Sequence, residues 1–92
     1  MDIDYGLFIW DSSKEDLNLL KHGVDFETAA LVFLDPLRKI YHDTKHDHYE
    51  PRMFCVGKVH HRVLTVRYVY RSGRIRIIGA GYWRRGRAEY EK

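Results

Sequence analysis

Val63-Leu64-Thr65-Val66-Arg67-Tyr68-Val69-Tyr70-Arg71-Ser72-Gly73-Arg74-Ile75-Arg76-Ile77-Ile78-Gly79-Ala80 carries the fold of this chain in its alternation. Two β-favouring runs flank Ser72-Gly73, a dipeptide suited to a two-residue hairpin loop. If Arg71 faces Arg74 across that loop, opposed side chains share one face of the sheet. Leu64, Val66, Tyr68, Tyr70, Ile75, Ile77 and Gly79 then form an apolar face. Thr65, Arg67, Val69, Arg71, Arg74, Arg76 and Ile78 form the other, with four Arg on it. A slip of one residue would mix the two sets, so their separation supports the register. Four like charges on one surface call for an anion beside them.

Outward from the hairpin, Arg52–Lys58 reads as a further strand. Pairing Val59 with Arg62 around His60-His61 adds Arg52, Phe54, Val56 and Lys58 to the Arg face. It adds Met53, Cys55 and Gly57 to the core face. Leu37–Tyr41 has the same period of two, and Leu7-Phe8-Ile9-Trp10 is a short apolar strand. Between them lie two helices. Asp11-Ser12-Ser13 starts the first, Leu17, Leu20 and Val24 mark its apolar stripe, and Lys21-His22-Gly23 ends it. Asp25 starts the second, whose core side is Phe26, Ala29, Ala30 and Phe33, and Asp35-Pro36 ends it. His42–Glu50 is a polar, His-rich loop, and Trp83–Lys92 a last helix with Gly86 inside it. The predicted order is β-α-α-β-β-β-β-α. The fold class is α+β: a small antiparallel sheet packed by an N-terminal helical hairpin, with a C-terminal helix, in one domain over residues 1–92.

Composition narrows the function. The chain has 92 residues, 45% hydrophobic and 32% charged, a globular balance. Residues 1–50 hold five Lys/Arg against eleven Asp/Glu, whereas residues 51–92 hold eleven against two. All but Arg38 of the ten Arg lie in that second half. The planar guanidinium fork suits phosphate, so a polyanion partner is expected. One cysteine, Cys55, excludes an internal disulfide and a Cys-based zinc site within one chain. No apolar run suits a membrane span, and Met1-Asp2-Ile3-Asp4 lacks the pattern of a signal peptide, so a cytoplasmic protein is expected. No Gly-rich phosphate loop or other cofactor motif is present, and neither cofactor nor metal is expected. His42, His46 and His48, with Asp43 and Asp47 between them, do not have zinc spacing. Cys55 alternates with core-facing Met53 and reads as a buried, inert thiol.

The ordered set Trp10-Asp11-x-x-Lys14-x-x-x-Asn18-x-x-Lys21-His22-Gly23-Val24-x-Phe26-x-x-Ala29 resembles the BrnT toxins. So do Val32-Phe33-x-Asp35-Pro36, the series Asp43, His46, Glu50, Arg52, Phe54, and Arg74-Ile75-Arg76-Ile77-Ile78 followed by Ala80 and Arg84-Arg85-x-Arg87-x-x-Tyr90-Glu91. The resemblance implies a RelE-like fold and a metal-independent endoribonuclease toxin that inhibits translation in a prokaryotic type II toxin–antitoxin pair. It implies a BrnA-type antitoxin with a ribbon-helix-helix part, a heterotetramer, and contact with operator DNA only through that antitoxin. Where many members read Ser-Ala-Arg-x-Ala-Thr-Arg-Arg-Glu-Arg, this chain is one residue shorter. It reads Gly79-Ala80-Gly81-Tyr82-Trp83-Arg84-Arg85-Gly86-Arg87.

For an RNA-cleaving site, fixed cations stabilise the charge that builds on the scissile phosphate. Arg84, Arg85 and Arg87 are candidate charge stabilisers, and Tyr90 a candidate for proton transfer or base stacking. Lys21 is a candidate phosphate contact and His22 a candidate proton carrier, although a cation and a Gly at a helix C-terminus are also ordinary capping. Arg52, Arg67, Arg71 and Arg76 are the candidate RNA-binding residues. A second reading stays open: a weak or inactive RNA- or antitoxin-binding module within an autoregulatory repressor complex. The altered Gly79–Gly86 stretch motivates it.

Overall fold

The computed structural model describes residues 1–45 and 50–92. His46, Asp47 and His48 of the His-rich stretch lie outside the described residues. Strands β1 (Asp2–Tyr5) and β2 (Phe8–Asp11) come first, then helices α1 (Ser12–His22) and α2 (Phe26–Ala30) with a 3-10 turn over Leu31–Leu34. Strands β3 (Lys39–His42), β4 (Met53–Val59), β5 (Arg62–Arg71) and β6 (Arg74–Gly81) follow, and helix α3 (Arg84–Tyr90) comes last. The fold is α+β, as expected, but the helical pair is not N-terminal, because two strands precede it. Nor is the sheet wholly antiparallel. Its order is β1-β2-β6-β5-β4-β3, and β2 runs parallel to β6.

The two hairpins form as read. Arg71 faces Arg74 and Val59 faces Arg62. His60 and His61 both take positive φ (50° and 75°), which matches the twist of a two-residue hairpin at some backbone cost. The β5–β6 register shifts between Arg67 and Tyr68, so Val66 meets Ala80 and Arg67 meets Gly79. The bulge therefore places Ala80, not Gly79, on the apolar face.

That inner face packs under α2 and the 3-10 turn. Leu64, Val66, Tyr68, Ile77, Cys55, Phe26, Ala29 and Val32 are all buried, and Trp10 meets Phe26 edge-on at 5.8 Å. Burial pushes the Cys55 thiol up to about 12, so it is protonated at neutral pH.

Helix α1 departs from its predicted stripe. Leu17 is 51% and Leu20 84% exposed, whereas Asn18 is the buried residue of the helix. The reason lies in the sheet. β2 pairs with β6 only at Ile75 and Arg76, which leaves the backbone of Ala80 open on that side. The Asn18 amide fills the vacancy. Its Oδ1 accepts from Ala80 N at 3.1 Å, and its Nδ2 donates to Ala80 O at 2.9 Å and Val24 O at 3.0 Å. A side chain thus does for Ala80 of β6 what a neighbouring strand would do. Asp35 does the same for β4: it accepts from Lys58 N at 2.7 Å, from Leu37 N and from Tyr90 Oη at 2.6 Å.

The outer face divides in two. At one end α3 lies directly on Val56 and Thr65. A Cβ added to Gly86 would overlap Thr65 Oγ1 and sit 3.0 Å from Val56 Cγ1. A Cβ on Gly81 would fall 2.5 Å from the Trp83 indole. Gly81 and Gly86, both in the altered stretch, therefore let α3 and its leading Trp dock closely.

At the other end, the anion called for by the Arg face belongs to the protein. Arg74 pairs with Asp4 (2.5 Å) and Arg76 with Asp2 (2.8 Å), both from β1. Arg71 makes two bonds to Glu50 (2.6 and 2.7 Å), and Arg67 lies 3.9 Å from buried Asp43. The neighbouring guanidinium groups hold the carboxyls of Asp2 and Glu50 below their usual range.

Candidate active site and nucleic-acid interface

Asp11 caps α1 by accepting from Ser13 N, and Gly23 closes it in the left-handed region with φ 68°. Residues four and seven positions apart fall on one side of a helix. Lys14, Asn18 and Lys21 therefore share a face, and Asn18 turns that face toward the sheet edge. A cleft of about 290 Å³ opens there, lined by Lys14, Leu17, Asn18, Lys21 and His22 of α1, Arg67 of β5, Ile78 and Gly79 of β6, and Trp83. The His22 imidazole meets the Trp83 indole edge-on at 5.4 Å, which fixes both rings. Among the described residues, no carboxylate lines this cleft.

The candidate residues separate by position. Lys21, His22 and Arg67 come together in the cleft. Arg84, the first residue of α3, is exposed and follows Trp83 directly. Arg85 points to the opposite flank, its guanidinium 5.8 Å from the Tyr41 ring centre. Arg87 lines a second cleft beyond Trp83. Tyr90 lies about 9 Å further along α3 than Arg84 at helical rise. Its hydroxyl donates to Asp35, which raises the phenol above its usual range. Arg71 and Arg76 are held by Glu50 and Asp2, and half-buried Arg52 lies beside Glu50.

Three contributors escaped the sequence reading of function. Trp83 was read only as the start of the last helix but forms a wall of both clefts. Asn18 orients the cationic face of α1. Lys14 shares that face, and its spacing from Lys21 is the signal that could have found it. Among the described residues, no group of three or more His, Cys, Asp or Glu side chains is arranged to hold a metal ion, and no helix is long and apolar enough to cross a membrane.

A small α+β domain with an indole-walled cationic cleft has the charge of a site for anionic ligands. The family follows from direct comparison. The chain belongs to the BrnT family, whose model, the ribonuclease toxin of type II toxin–antitoxin systems, matches residues 10–86. The match includes every residue that lines the α1 cleft. No curated protein matches the chain. Membership implies a ribonuclease toxin with an RNA substrate and an antitoxin partner.

Proposed function

We propose that the protein is a metal-independent endoribonuclease whose site is the α1 cleft, and that it inhibits translation by cutting RNA in the cytoplasm. One observation carries this reading: Lys14, Lys21, His22 and Arg67 converge on one cleft beside an indole. The ribose 2′-hydroxyl attacks the adjacent phosphorus, and the bond from phosphorus to the 5′-oxygen breaks. Products are a 2′,3′-cyclic phosphate and a 5′-hydroxyl. Lys21 and Arg67 hold the phosphate oxygens as negative charge builds on them. His22 moves the proton, taking it from the attacking hydroxyl or giving it to the leaving oxygen. Trp83 stacks on a flanking base. A carboxylate-free, cationic lining disfavours a divalent ion at the same place. Arg84, next to Trp83, extends the phosphate path, and Arg85 and Arg87 bind RNA beyond the scissile bond. The partner is a BrnA-type antitoxin in a heterotetramer that reaches operator DNA through the antitoxin. Exposed Leu17 and Leu20, beside the cleft, offer apolar contact to it.

The test is cleavage of RNA by purified protein in EDTA. Lys21→Ala and Arg67→Ala are expected to slow it about 10²-fold or more, and His22→Ala about 10²- to 10⁴-fold. Tyr90→Phe should cleave at the wild-type rate. Cleavage that stops in EDTA, or persists in all three cleft variants, would refute the proposal.

A further inference from the structure

Trp83 has a second side. Beyond it lies a cleft of about 320 Å³ lined by Lys58, His61, Arg62, Val63, Tyr82, Trp83, Arg87 and Glu91. It is built by the β4–β5 hairpin, the end of β6 and one face of α3. Arg62 lies over Tyr82, its guanidinium carbon 3.6 Å from the ring centre. The stack holds a cation and an exposed aromatic surface in place before any ligand arrives. Lys58, Arg62 and Arg87 bring three positive charges against the one carboxylate of Glu91. Of these residues only Trp83 also serves the α1 cleft, and only Val63 packs the core.

We infer that this second cleft is a nucleotide subsite that binds the same RNA strand on the far side of Trp83 from the scissile phosphate. The inference rests on the reading of the α1 cleft as the RNA-cleaving site. One residue walls both clefts, so a ligand leaving the first over the Trp83 ring enters the second. A chain with repeating negative charges and flat bases is the ligand that uses both. Lys58 and Arg87 meet its phosphates. Tyr82, one face of its ring covered by Arg62, takes a base on its remaining exposed surface, and stacking of this kind tolerates any base. Glu91 accepts from an exocyclic amine or a 2′-hydroxyl at the rim.

The experiment uses 2′-O-methyl oligoribonucleotides, which cannot be cleaved by 2′-hydroxyl attack, at two lengths: a dinucleotide and an octanucleotide. Their affinities are measured for wild type, Lys58→Ala/Arg62→Ala, Tyr82→Leu and Lys21→Ala over a range of salt concentrations. The dinucleotide, confined to the α1 cleft, is expected to bind wild type and Lys58→Ala/Arg62→Ala alike. The octanucleotide is expected to bind the double variant about tenfold or more weakly. Its salt dependence should be shallower by about 0.7 per lost phosphate contact. Tyr82→Leu should weaken octanucleotide binding about tenfold with an unchanged salt slope, a split that a general loss of structure would not give. Equal octanucleotide affinity and slope in wild type and the double variant, with Lys21→Ala still weakened, would overturn the subsite and leave the cleft reading intact. Loss in the double variant with no effect of Lys21→Ala would uphold RNA binding here and overturn the cleft reading. Binding of polyglutamate in place of RNA would make the surface a protein-docking site and overturn the inference.

Discussion

Replacing Asn18 with Ala tests how α1 is held. Asn18 is the buried residue of α1, and its amide makes three hydrogen bonds, two to Ala80 and one to the Val24 carbonyl. Ala removes all three bonds and leaves the Ala80 N–H and C=O at a covered strand edge and the Val24 C=O after α1 without them. An unsatisfied buried group costs about 1–3 kcal/mol. Water from the adjoining cleft can reach part of the vacancy, so we expect a total near 3 kcal/mol rather than the full sum. In a domain of this size each kcal/mol moves Tm by about 4–8 °C, which predicts a fall of about 12–24 °C. Leu20→Ala on the same helix is the control. Leu20 is 84% exposed, and a surface change of this kind stays within about 0.5 kcal/mol. The assay is urea unfolding of both variants beside wild type, followed by far-UV circular dichroism. Asn18→Ala should lower the midpoint strongly and Leu20→Ala hardly at all. If Leu20→Ala cost as much as Asn18→Ala, the sequence-based stripe would be right and the polar docking of α1 wrong.

Gly86→Ala should destabilise by about 1–3 kcal/mol through overpacking against Thr65, despite the better helix propensity of Ala. Thr65→Ala in the same chain should recover part of the loss, read by thermal melting. Replacing His60-His61 with Asn-Gly should stabilise by about 1 kcal/mol, because both positions have positive φ. Thermal melting detects it, and no gain would mean the turn is unstrained. Tyr90→Phe should lower Tm at neutral pH by removing the bond to Asp35. Asp35 is held below its usual range, chiefly by the Lys58 N–H, so its contribution is present above about pH 4 and is lost as pH falls through its lowered value. Tyr90 is raised, so its contribution is present below about pH 10 and is lost as pH rises through its raised value. The gap between wild type and Tyr90→Phe should therefore be widest from about pH 5 to 9 and narrow on both sides; a gap independent of pH would contradict the pairing.

What could be read in the sequence was what depends on neighbours along the chain. Ser72-Gly73 set the β5–β6 register, and alternation separated the two faces on either side of it. Asp11, Gly23 and Asp25 marked helix ends because a cap bonds within its own turn. What escaped depends on distant partners. Asp2 and Asp4 looked like an acidic end, whereas β1 is the edge strand beside β2 and its two carboxylates reach Arg76 and Arg74, some 70 residues on. Asn18 was left off the predicted stripe of α1 because its partner Ala80 lies 62 residues away. The same cause redirected the site. Arg71 and Arg76 looked free for RNA until Glu50 and Asp2 were beside them, while Lys14 and Lys21 gained a shared cleft once Asn18 had turned α1.

The central claim is that RNA enters between α1 and the sheet rather than across the Arg face of the β5–β6 hairpin. Backbone amide chemical shifts, recorded as an uncleavable 2′-O-methyl oligoribonucleotide is titrated into the labelled protein, test it directly. The account predicts the largest shifts at Lys14–His22, Arg67, Gly79 and Trp83, with Arg71–Arg76 little changed. Shifts concentrated at Arg71, Arg74 and Arg76, with α1 unmoved, would contradict it.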